Sequence, residues 1–435
     1  MEKKEKRIDL FMIICIVIIC VLLFFVIRQF LDKNNNETVS DPANDYDMVL
    51  NDTSGEDTII NMTDININNK EDIIQPENET EETTAPEPLE LVESRITFVG
   101  TGDNVVHECL WMDAGRRALT GGRAYNFKPM FSDVADMVAK ADIAFINQET
   151  PMAGNDFALS GYPQFNSPQE LGYDLVELGF DVINIATNHM IDKGEKGLRN
   201  AINFMRSLDT VIIGDYLNRD ELNHIKVIER GGIKIAFLAY TYGTNGLVLS
   251  DNAEVVVPYI EKELMISQIA KAKEIADTVL VSVHWGEENT FTPTASQRQF
   301  AQLMADCGVL AIIGHHPHVI QPIEWIEGSG GNRTLCVYSL GNFASGMTHP
   351  TNMIGGFIGF DIVKTGESVK LENPVFTPTI YYYGSGWLNG HVYFLKDYTP
   401  ELAKSHGTYT LHGYKDTVED LWRYVTKNID AEFLK

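Results

Sequence analysis

The chain has 435 residues, with 34 Lys or Arg against 61 Asp or Glu, so its formal charge at pH 7 is −27. This charge excludes a basic surface spread over the whole chain, and we predict no nucleic-acid partner. Hydrophobic residues make up 44% of the chain, which is enough for a sizeable core. The five cysteines have no CxxC spacing, which disfavours both a disulfide framework and a cysteine-based zinc site.

The amino-terminal segment predicts a membrane anchor. Residues 10–27 carry no charge and are rich in Ile, Val, Leu and Phe. As a helix they would be about 27 Å long, close to the hydrocarbon thickness of a bilayer. A cleaved signal peptide is the competing interpretation, but small residues should then follow the apolar run, whereas Arg28, Gln29, Phe30 and Leu31 follow it here.

The basic residues that flank this segment predict its orientation. Four precede the apolar run, and two follow it: Lys3, Lys4, Lys6 and Arg7 before, Arg28 and Lys33 after. The positive-inside rule therefore predicts a short cytoplasmic segment over residues 1–9 and a single-pass helix over residues 10–27. The protein would lie in the cell membrane, with its amino terminus in the cytoplasm and its main domain outside the cell.

Residues 28–93 are predicted to form an acidic, disordered linker. Between residues 34 and 93 there are 17 acidic side chains and one basic side chain, Lys70. The stretch is rich in Asn, Thr, Glu and Asp and has no sustained apolar periodicity. Such a segment cannot bury enough apolar surface to offset the entropy that it would lose on folding.

From residue 94 onward the pattern predicts an α/β domain. Short β-branched runs suggest strands at 96–101, 143–147, 182–186, 211–214, 233–240, 279–284, 309–314 and 335–340. Helix-period apolar residues occur between them at 131–140, 167–178, 195–208, 262–276 and 294–306. The alternation favours a largely parallel or mixed sheet over residues 94–390. Late strands at 357–363 and 368–372 indicate either a second sheet or an antiparallel extension, and residues 391–435 are predicted to pack on the domain as a C-terminal extension.

Polar side chains recur where the predicted strands end. Ligands of open α/β sheets bind beyond the carboxyl ends of strands, so these positions are the first candidates for a functional site. They are Asp103, Asn147, Glu149, Asn188, His189, His284, His315, His316 and His318. Each alone is also compatible with a turn, a helix cap or a hydrogen-bonded core residue.

The run Gly-His-His-Pro-His at 314–318 is the most specific of these signals. Because Pro317 disfavours a helical His316, we predict an extended segment in which His316 and His318 face the same side. Imidazole, carboxylate and amide ligands without a thiolate suit zinc, manganese or iron. Two such ions that share a carboxylate would match a site for displacement at phosphorus or at a carbonyl carbon.

The order of the motifs resembles that of CapA-type proteins of poly-γ-glutamate capsule synthesis, which are similar to calcineurin-like metallophosphoesterases. The motifs are Gly-Asp at 102–103, Asn-x-Glu at 147–149, Asn-His-x-x-Asp-x-Gly at 188–194, His-Trp-Gly-x-Glu at 284–288, Gly-His-His-Pro-His-Val at 314–319 and Ser-Leu-Gly-Asn-Phe at 339–343. The resemblance covers about residues 95–365. It implies a four-layer α/β sandwich of two mixed β-sheets flanked by helices, with a metal site at one edge.

The resemblance also implies roles for individual residues. The metal ligands would be Asp103, Glu149, Asn188, His284, His316 and His318. His189 takes the position of the histidine that donates a proton to the leaving group, and Asp192 is placed to orient it. One or two divalent transition-metal ions, Mn, Zn or Fe, are the implied cofactor.

Two departures from the phosphoesterase pattern leave the second metal ion and the enzymatic activity open. The usual Asp-x-His motif would place a histidine at position 105, where this chain has Val105. His107 could replace it only if the backbone turns. Glu149 stands where an aspartate usually bridges the two ions, and its side chain is longer by one methylene.

The leading functional interpretation is a membrane-anchored extracellular protein that assists synthesis, export or attachment of a capsular polymer such as poly-γ-glutamate through a metal-dependent hydrolase-like site. Its expected partners are the membrane, capsule-synthesis membrane subunits and an anionic polymer or phosphoester substrate. One alternative is a general extracellular metallophosphoesterase. Another is a catalytically silent subunit that binds or assembles the polymer.

Overall fold

The computed structural model of the protein describes residues 93–434 apart from residues 119 and 121. Among the described residues, no helix combines the length and the apolar character needed to span a bilayer. The cytoplasmic segment, the anchor over residues 10–27 and all of the linker but residue 93 lie outside the described residues. These three assignments stay predictions.

Strands and helices alternate along the described chain, as the sequence pattern predicts. The strands are β1 (Glu93–Val105), β2 (Ile143–Gln148), β3 (Val182–Asn184), β4 (Val211–Ile213), β5 (Lys226–Arg230), β6 (Ile233–Thr241), β7 (Thr278–His284), β8 (Ala311–His315), β9 (Ile323–Glu327), β10 (Arg333–Val337), β11 (Asn342–Ser345), β12 (Ile354–Thr365), β13 (Ser368–Tyr382) and β14 (His391–Phe394). The α-helices are α1 (Glu108–Arg116), α2 (Ala135–Lys140), α3 (Glu170–Leu178), α4 (Gly194–Arg206), α5 (Lys262–Ile275), α6 (Ala295–Asp306), α7 (Pro400–Ser405), α8 (Gly407–Thr410) and α9 (Val418–Asn428). Short 3-10 turns lie at Lys128–Met130, Arg219–Asn223, Pro350–Met353, Ser385–Trp387, Leu395–Asp397 and Ala431–Phe433.

The strands form two mixed sheets, which confirms the predicted sheet architecture. The first sheet has eight strands in the order β14-β13-β12-β1-β2-β3-β4, and β11 also pairs with β1. Its β1, β2, β3 and β4 are parallel, while β12, β13 and β14 add to it in antiparallel fashion. The second sheet has six strands in the order β5-β6-β7-β8-β10-β9. The late strands are therefore an antiparallel extension of the first sheet.

Burial on both faces explains the continuous apolar strands of the second sheet. Along β6, Ile235 and Phe237 belong to the large core that also contains Phe98 of the first sheet. The alternate residues Ala236 and Leu238 belong to a second core, in which they pack with residues of α5 and α6. Because successive side chains of a strand point to opposite faces, this sheet lies between the first sheet on one side and helices on the other.

Several elements that the sequence pattern did not predict lie at edges. Strand β5 is an edge strand in which Ile228 is the one fully buried residue, so it has no apolar run. Strand β9 is the opposite edge of the same sheet, and two of its five residues, Glu324 and Glu327, are charged. Charged side chains on an edge strand disfavour its pairing with other chains. Because these charges interrupt the apolar pattern, neither strand could be recognised from the sequence.

Candidate metal centre

The carboxyl ends of parallel strands bring the predicted site residues together. In the first sheet, Asp103 of β1 is in register with Asn147 of β2. In the second sheet, His284 at the end of β7 is in register with His315 at the end of β8. All four side chains are buried. The two strand ends meet, since His315 Nδ1 lies 3.3 Å from Asp103 Oδ1.

A close approach between two glycines places Asp103 at this meeting point. The Asp103 amide donates a hydrogen bond to the Gly341 carbonyl at 2.9 Å. A Cβ atom on Gly102 would lie only 2.0 Å from the same carbonyl oxygen, so position 102 accepts no larger residue without a backbone shift. In the Gly-Asp motif, glycine is therefore required by the close backbone contact, and aspartate supplies the carboxylate of the site.

Asp103 is held by one amide and by two residues of the histidine-rich loop. Asn147 Nδ2 donates to Asp103 Oδ1 at 2.8 Å, and the His316 backbone N–H donates to Asp103 Oδ2 at 3.1 Å. His318 Nδ1 lies 3.2 Å from the same oxygen. Burial favours a raised pKa, but hydrogen bonds from His315 and His318 outweigh it and hold the pKa of Asp103 well below its usual value. Asp103 is therefore a buried carboxylate anion.

Glu149 lies at the centre of the site and is surrounded by imidazoles. Its Oε1 is 3.6 Å from His318 Nε2, 3.8 Å from His284 Nε2 and 3.9 Å from His189 Nε2. Neither carboxylate oxygen has a hydrogen-bond partner in the described chain, although the side chain is completely buried. Burial raises the pKa of Glu149 well above its usual value. A buried carboxylate without a partner is unfavourable unless a cation compensates it.

The donor atoms form two sets that share Glu149. One set contains Glu149, His284 and His316, and the other contains Asp103, Glu149 and His318; within each set the donor atoms lie within 4.8 Å of one another. Asn188 belongs with the first set, since its Oδ1 is 3.0 Å from His284 Nε2.

Divalent metal fits these residues. The two oxygens of Glu149 and the Nδ1 atoms of His284 and His316 are buried without partners in the described part of the chain. Burial lowers the pKa of His316 to about 3, so its imidazole is neutral and has a free lone pair. Nitrogen and oxygen donors in this combination suit zinc, manganese and iron alike, so the residues do not select one ion.

The histidine-rich loop reaches the site by a different backbone path from the predicted one. The expectation of an extended segment is wrong: β8 ends at His315, and both His316 (φ 98°) and His318 (φ 56°) have left-handed backbone conformations. Left-handed φ values cost roughly 1–3 kcal/mol per residue for non-glycine residues, and they persist where surrounding contacts enforce them. Hydrogen bonding of the His316 amide to Asp103 is one such contact.

His318 is held between two carboxylates. Burial favours a lowered pKa, but the charges of Glu149 and Asp103 outweigh it and raise the pKa of His318 to about 10. Its Nδ1 also lies 3.0 Å from Asn342 Oδ1 of the Ser-Leu-Gly-Asn-Phe motif. A proton and a metal ion compete for the same imidazole nitrogen, so the carboxylates that favour the proton here would equally favour a divalent cation.

His189 lies beside the two donor sets and is paired with Asp192. The two residues are joined by a hydrogen bond of 2.8 Å between His189 Nδ1 and Asp192 Oδ2. The Phe165 amide donates to the same oxygen at 2.7 Å, and the edge of the His189 ring packs against the Phe165 ring at a centroid distance of 4.7 Å. Both contacts restrict the imidazole, whose Nε2 faces Glu149.

His107 does not join the donor sets. The backbone turns after β1, and α1 begins at Glu108. The Gly346 amide donates to His107 Nδ1 at 3.1 Å, while Val105 is a buried core residue. The Asp103 set therefore has three protein donors and no fourth from this segment.

The sequence pattern missed three residues at the site. Glu288 forms a third donor set with His316 and His318, and the His-Trp-Gly-x-Glu motif was a signal for it. Asn245 accepts a hydrogen bond from Asn188 Nδ2 at 3.2 Å, which turns the Asn188 oxygen toward His284. The Tyr242 ring lies 4.5 Å from the His316 ring. The last two lie on the loop after β6, where the sequence gives only a turn signal, Asn245-Gly246.

The structure brings all six predicted ligands to one place and puts His189 and Asp192 next to them. That arrangement agrees with the predicted positions of these side chains. Their roles as ligands and as a proton donor stay predictions.

Comparison with known proteins matches this chain to capsule synthesis proteins. The profile of the family described as "Bacterial capsule synthesis protein PGA_cap" matches residues 96–347. The "PGA biosynthesis protein CapA" of Bacillus subtilis is 34% identical over 203 residues, which are 46% of this chain and 52% of that protein. The "Capsule biosynthesis protein CapA" of Bacillus anthracis is 33% identical over 171 residues, 38% of this chain and 40% of that protein. The chain thus spans about half the length, or less, of these two relatives.

Two solved structures align with most of this chain at low sequence identity. A phosphatase from Mycoplasma pneumoniae aligns with a TM-score of 0.42 and 17% identity, covering 66% of this chain and 95% of its own. A calcineurin-like phosphoesterase from Bacillus subtilis aligns with a TM-score of 0.40 and 14% identity, covering 78% of this chain and 97% of its own.

Proposed function

The chain belongs to the bacterial capsule synthesis family PGA_cap, and on that basis we propose that it takes part in the synthesis, export or attachment of a capsular polymer such as poly-γ-glutamate. We propose further that it does so through a divalent metal centre at the strand ends, with hydrolase- or transferase-like chemistry. The chemistry and the polymer are both proposals.

The single observation that carries this proposal is the environment of Glu149. Its carboxylate is completely buried, has no hydrogen-bond partner in the described chain and lies within 4 Å of three imidazoles. A core built only for stability would avoid an uncompensated buried carboxylate, because its desolvation is costly. Two donor sets that share this one residue support a centre for two cations.

In such a site, some residues would bind the metal ions and others would position a proton donor. Asn188, His284 and His316 would hold one ion with Glu149, and Asp103 and His318 would hold the other. When bound, divalent metal supplies Lewis acidity toward a phosphoryl or carbonyl oxygen. Asp192 holds the imidazole of His189 through Nδ1 and so leaves Nε2 facing the site. A protonated Nε2 there could give its proton to a leaving group.

A second function, a catalytically silent assembly subunit, is favoured by one observation. The Asp103 set has Val105 at the place of a histidine ligand, and His107 accepts a hydrogen bond from Gly346 instead. A site with one weakly held ion could stabilise the fold without supporting turnover.

Turnover by the purified full-length chain separates the two functions. We expect the metal-loaded protein to cleave at least one compound in a screen of aryl phosphates and γ-glutamyl amides, because both present an oxygen suited to such a centre. His284→Ala should abolish that turnover. The exposed residue His224 offers a matched control, His224→Ala, which should keep it. If the metal-loaded wild type cleaves none of these compounds, the result favours the catalytically silent assembly subunit.

We also propose that the chain is a single-pass membrane protein with its carboxyl-terminal domain outside the cell. The support is the uncharged run at 10–27 and the excess of basic residues before it. Protease added to intact cells is expected to cut within residues 34–92 and to release a protease-resistant fragment that contains the described residues. In cells without an outer barrier, complete protection of that stretch would contradict the proposed orientation.

A further inference from the structure

A third carboxylate, that of Glu288, lies at the metal centre on its solvent-exposed side. One of its oxygens lies within 4.8 Å of a ring nitrogen of His316 and of a ring nitrogen of His318. These two imidazoles belong to different donor sets, since His316 is in the first set and His318 is in the Asp103 set. Glu149, the residue that both sets already share, is buried. Glu288 therefore reaches both sets from the exposed side.

Hydrogen bonds join the loop that carries Glu288 to the histidine-rich loop. Glu288 is followed by Asn289, whose amide donates to the Pro317 carbonyl at 2.8 Å. Pro317 is the residue between the two histidines. Asn352 Nδ2 joins the same two loops, since it lies 2.7 Å from Asn289 Oδ1 and 3.1 Å from the His318 carbonyl oxygen. These hydrogen bonds hold Glu288 beside both imidazoles.

A glycine allows the chain to turn from β7 into this loop. Gly286 has a left-handed φ of 88°, and a Cβ atom there would lie 2.7 Å from Gln297 Oε1. Both conditions favour glycine. The His-Trp-Gly-x-Glu motif thus combines a proposed metal ligand, His284, with a turn that brings Glu288 back to the same centre.

Glu288 has no Lys or Arg partner within the described residues. Its side chain also accepts no hydrogen bond there, although its backbone carbonyl accepts one from the Thr290 hydroxyl. Burial raises the pKa of Glu149 well above its usual value, and the negative charges of Asp103 and Glu288 add to this rise. Carboxylates that lie so close destabilise one another, and divalent cations between them would remove this repulsion.

The Asp103 set is the one that lacks a donor. The first set has three donors and Asn188 as a fourth, whereas the Asp103 set has three. The side chain of Val105 has no donor atom, and His107 does not join the set. A further ligand for this set must come from another part of the chain, and Glu288 is a carboxylate that already lies within reach of His318.

We infer that Glu288 is a metal ligand shared by the two sets and that its carboxylate completes the Asp103 set in place of the histidine that is absent at position 105. The inference rests on the proposed function, since it concerns the same metal centre. Glu149 and Glu288 would hold the two ions together from the buried side and from the exposed side. Asp103 and Glu149 neutralise only half of the charge of two divalent ions, so a third carboxylate would strengthen the binding of the second ion.

Zinc binding to the full-length chain, measured by competition with a chromophoric chelator, tests this inference. The wild type should bind about two ions. In Glu288→Gln, which keeps the size of the side chain and removes its charge, one ion should bind as in the wild type and the other at least about tenfold more weakly. Replacing residues that only orient metal ligands already costs roughly 10- to 100-fold in metal affinity, and the loss of a ligand should cost no less.

Glu287→Gln is the matched control. Glu287 is the adjacent exposed glutamate and belongs to none of the donor sets found among the described residues. This variant should bind both ions like the wild type. Thermal unfolding in the presence of a chelator checks the fold of both variants. Because Glu287 and Glu288 are exposed, both should unfold at the temperature of the chelated wild type.

Electron paramagnetic resonance of the manganese-loaded protein shows whether the two ions are neighbours. The wild type should give the spectrum of a coupled pair, and Glu288→Gln should give that of isolated ions.

Equal affinities for the second ion in the Glu287 and Glu288 variants, or a coupled spectrum in both, would overturn the inference and leave the proposed metal centre intact. A wild type that binds a single ion would also overturn it, because Glu288 would then not complete the Asp103 set. A wild type that binds neither zinc nor manganese would contradict the proposed function itself, and this inference with it.

Discussion

Replacing His189 with alanine is expected to lower turnover by roughly 10²- to 10⁴-fold, the usual contribution of a general acid, and to leave the metal content nearly unchanged. The expectation follows from the position of the side chain. His189 Nδ1 is committed to Asp192, and its Nε2 lies 3.9 Å from Glu149 rather than within either donor set. The measurement is single-substrate kinetics on the compound that the wild type cleaves, with metal analysis of the same preparations.

His189→Gln is the companion variant, because glutamine fills similar space and can hydrogen-bond but cannot transfer a proton. Both variants should lose turnover to a similar extent. Asp192→Asn should lose less, since the imidazole remains but is held less firmly. Loss of metal in the His189 variants would make His189 a ligand, and unchanged polymer formation in cells that carry them would favour the assembly function.

Replacing His316 with alanine is expected to lower the metal content and the thermal stability together. His316 is the buried imidazole of the Glu149 set and has an unpartnered Nδ1. When the free metal concentration is a hundred times the Kd, binding to the native state raises the free energy of unfolding by about 2.7 kcal/mol. A variant with weaker binding loses part of this stabilisation. The measurement is thermal unfolding with and without a chelator, together with elemental analysis.

A second substitution at position 316 separates the effect of metal loss from the effect of backbone strain on thermal stability. Because His316 has φ 98°, alanine adds strain there that glycine does not. His316→Gly should therefore lose the same metal while unfolding at a temperature closer to that of chelated wild type. If the alanine variant keeps its metal and the chelator does not change its unfolding temperature, His316 has no part in a metal site.

The fold could be predicted from the sequence wherever a strand is buried. Strands β2 and β7 begin and end within one residue of the predicted ranges, because their side chains are buried on both faces and leave a continuous apolar run. Helix α1 was missed, since only Leu110, Asp113 and Ala114 of its nine residues are buried.

The candidate site was predictable in its members but not in its geometry. Polar residues that follow parallel strands converge by topology, so Asp103, Asn188 and His284 could be grouped from the sequence. The backbone path of His316 could not, because its left-handed conformation depends on a hydrogen bond from its amide to Asp103, which is distant in sequence. The contact of Asn245 with Asn188 depends on the shape of a loop, which no periodicity predicts.

The number of metal ions per chain tests the central claim most directly. The full-length protein is purified gently, reconstituted with Mn, Zn or Fe, passed through a desalting column and measured by elemental analysis. Two donor sets that share Glu149 predict a value near two ions per chain, falling toward one in His316→Ala. A wild-type value below about a tenth of an ion per chain with every metal would contradict a metal centre at these strand ends.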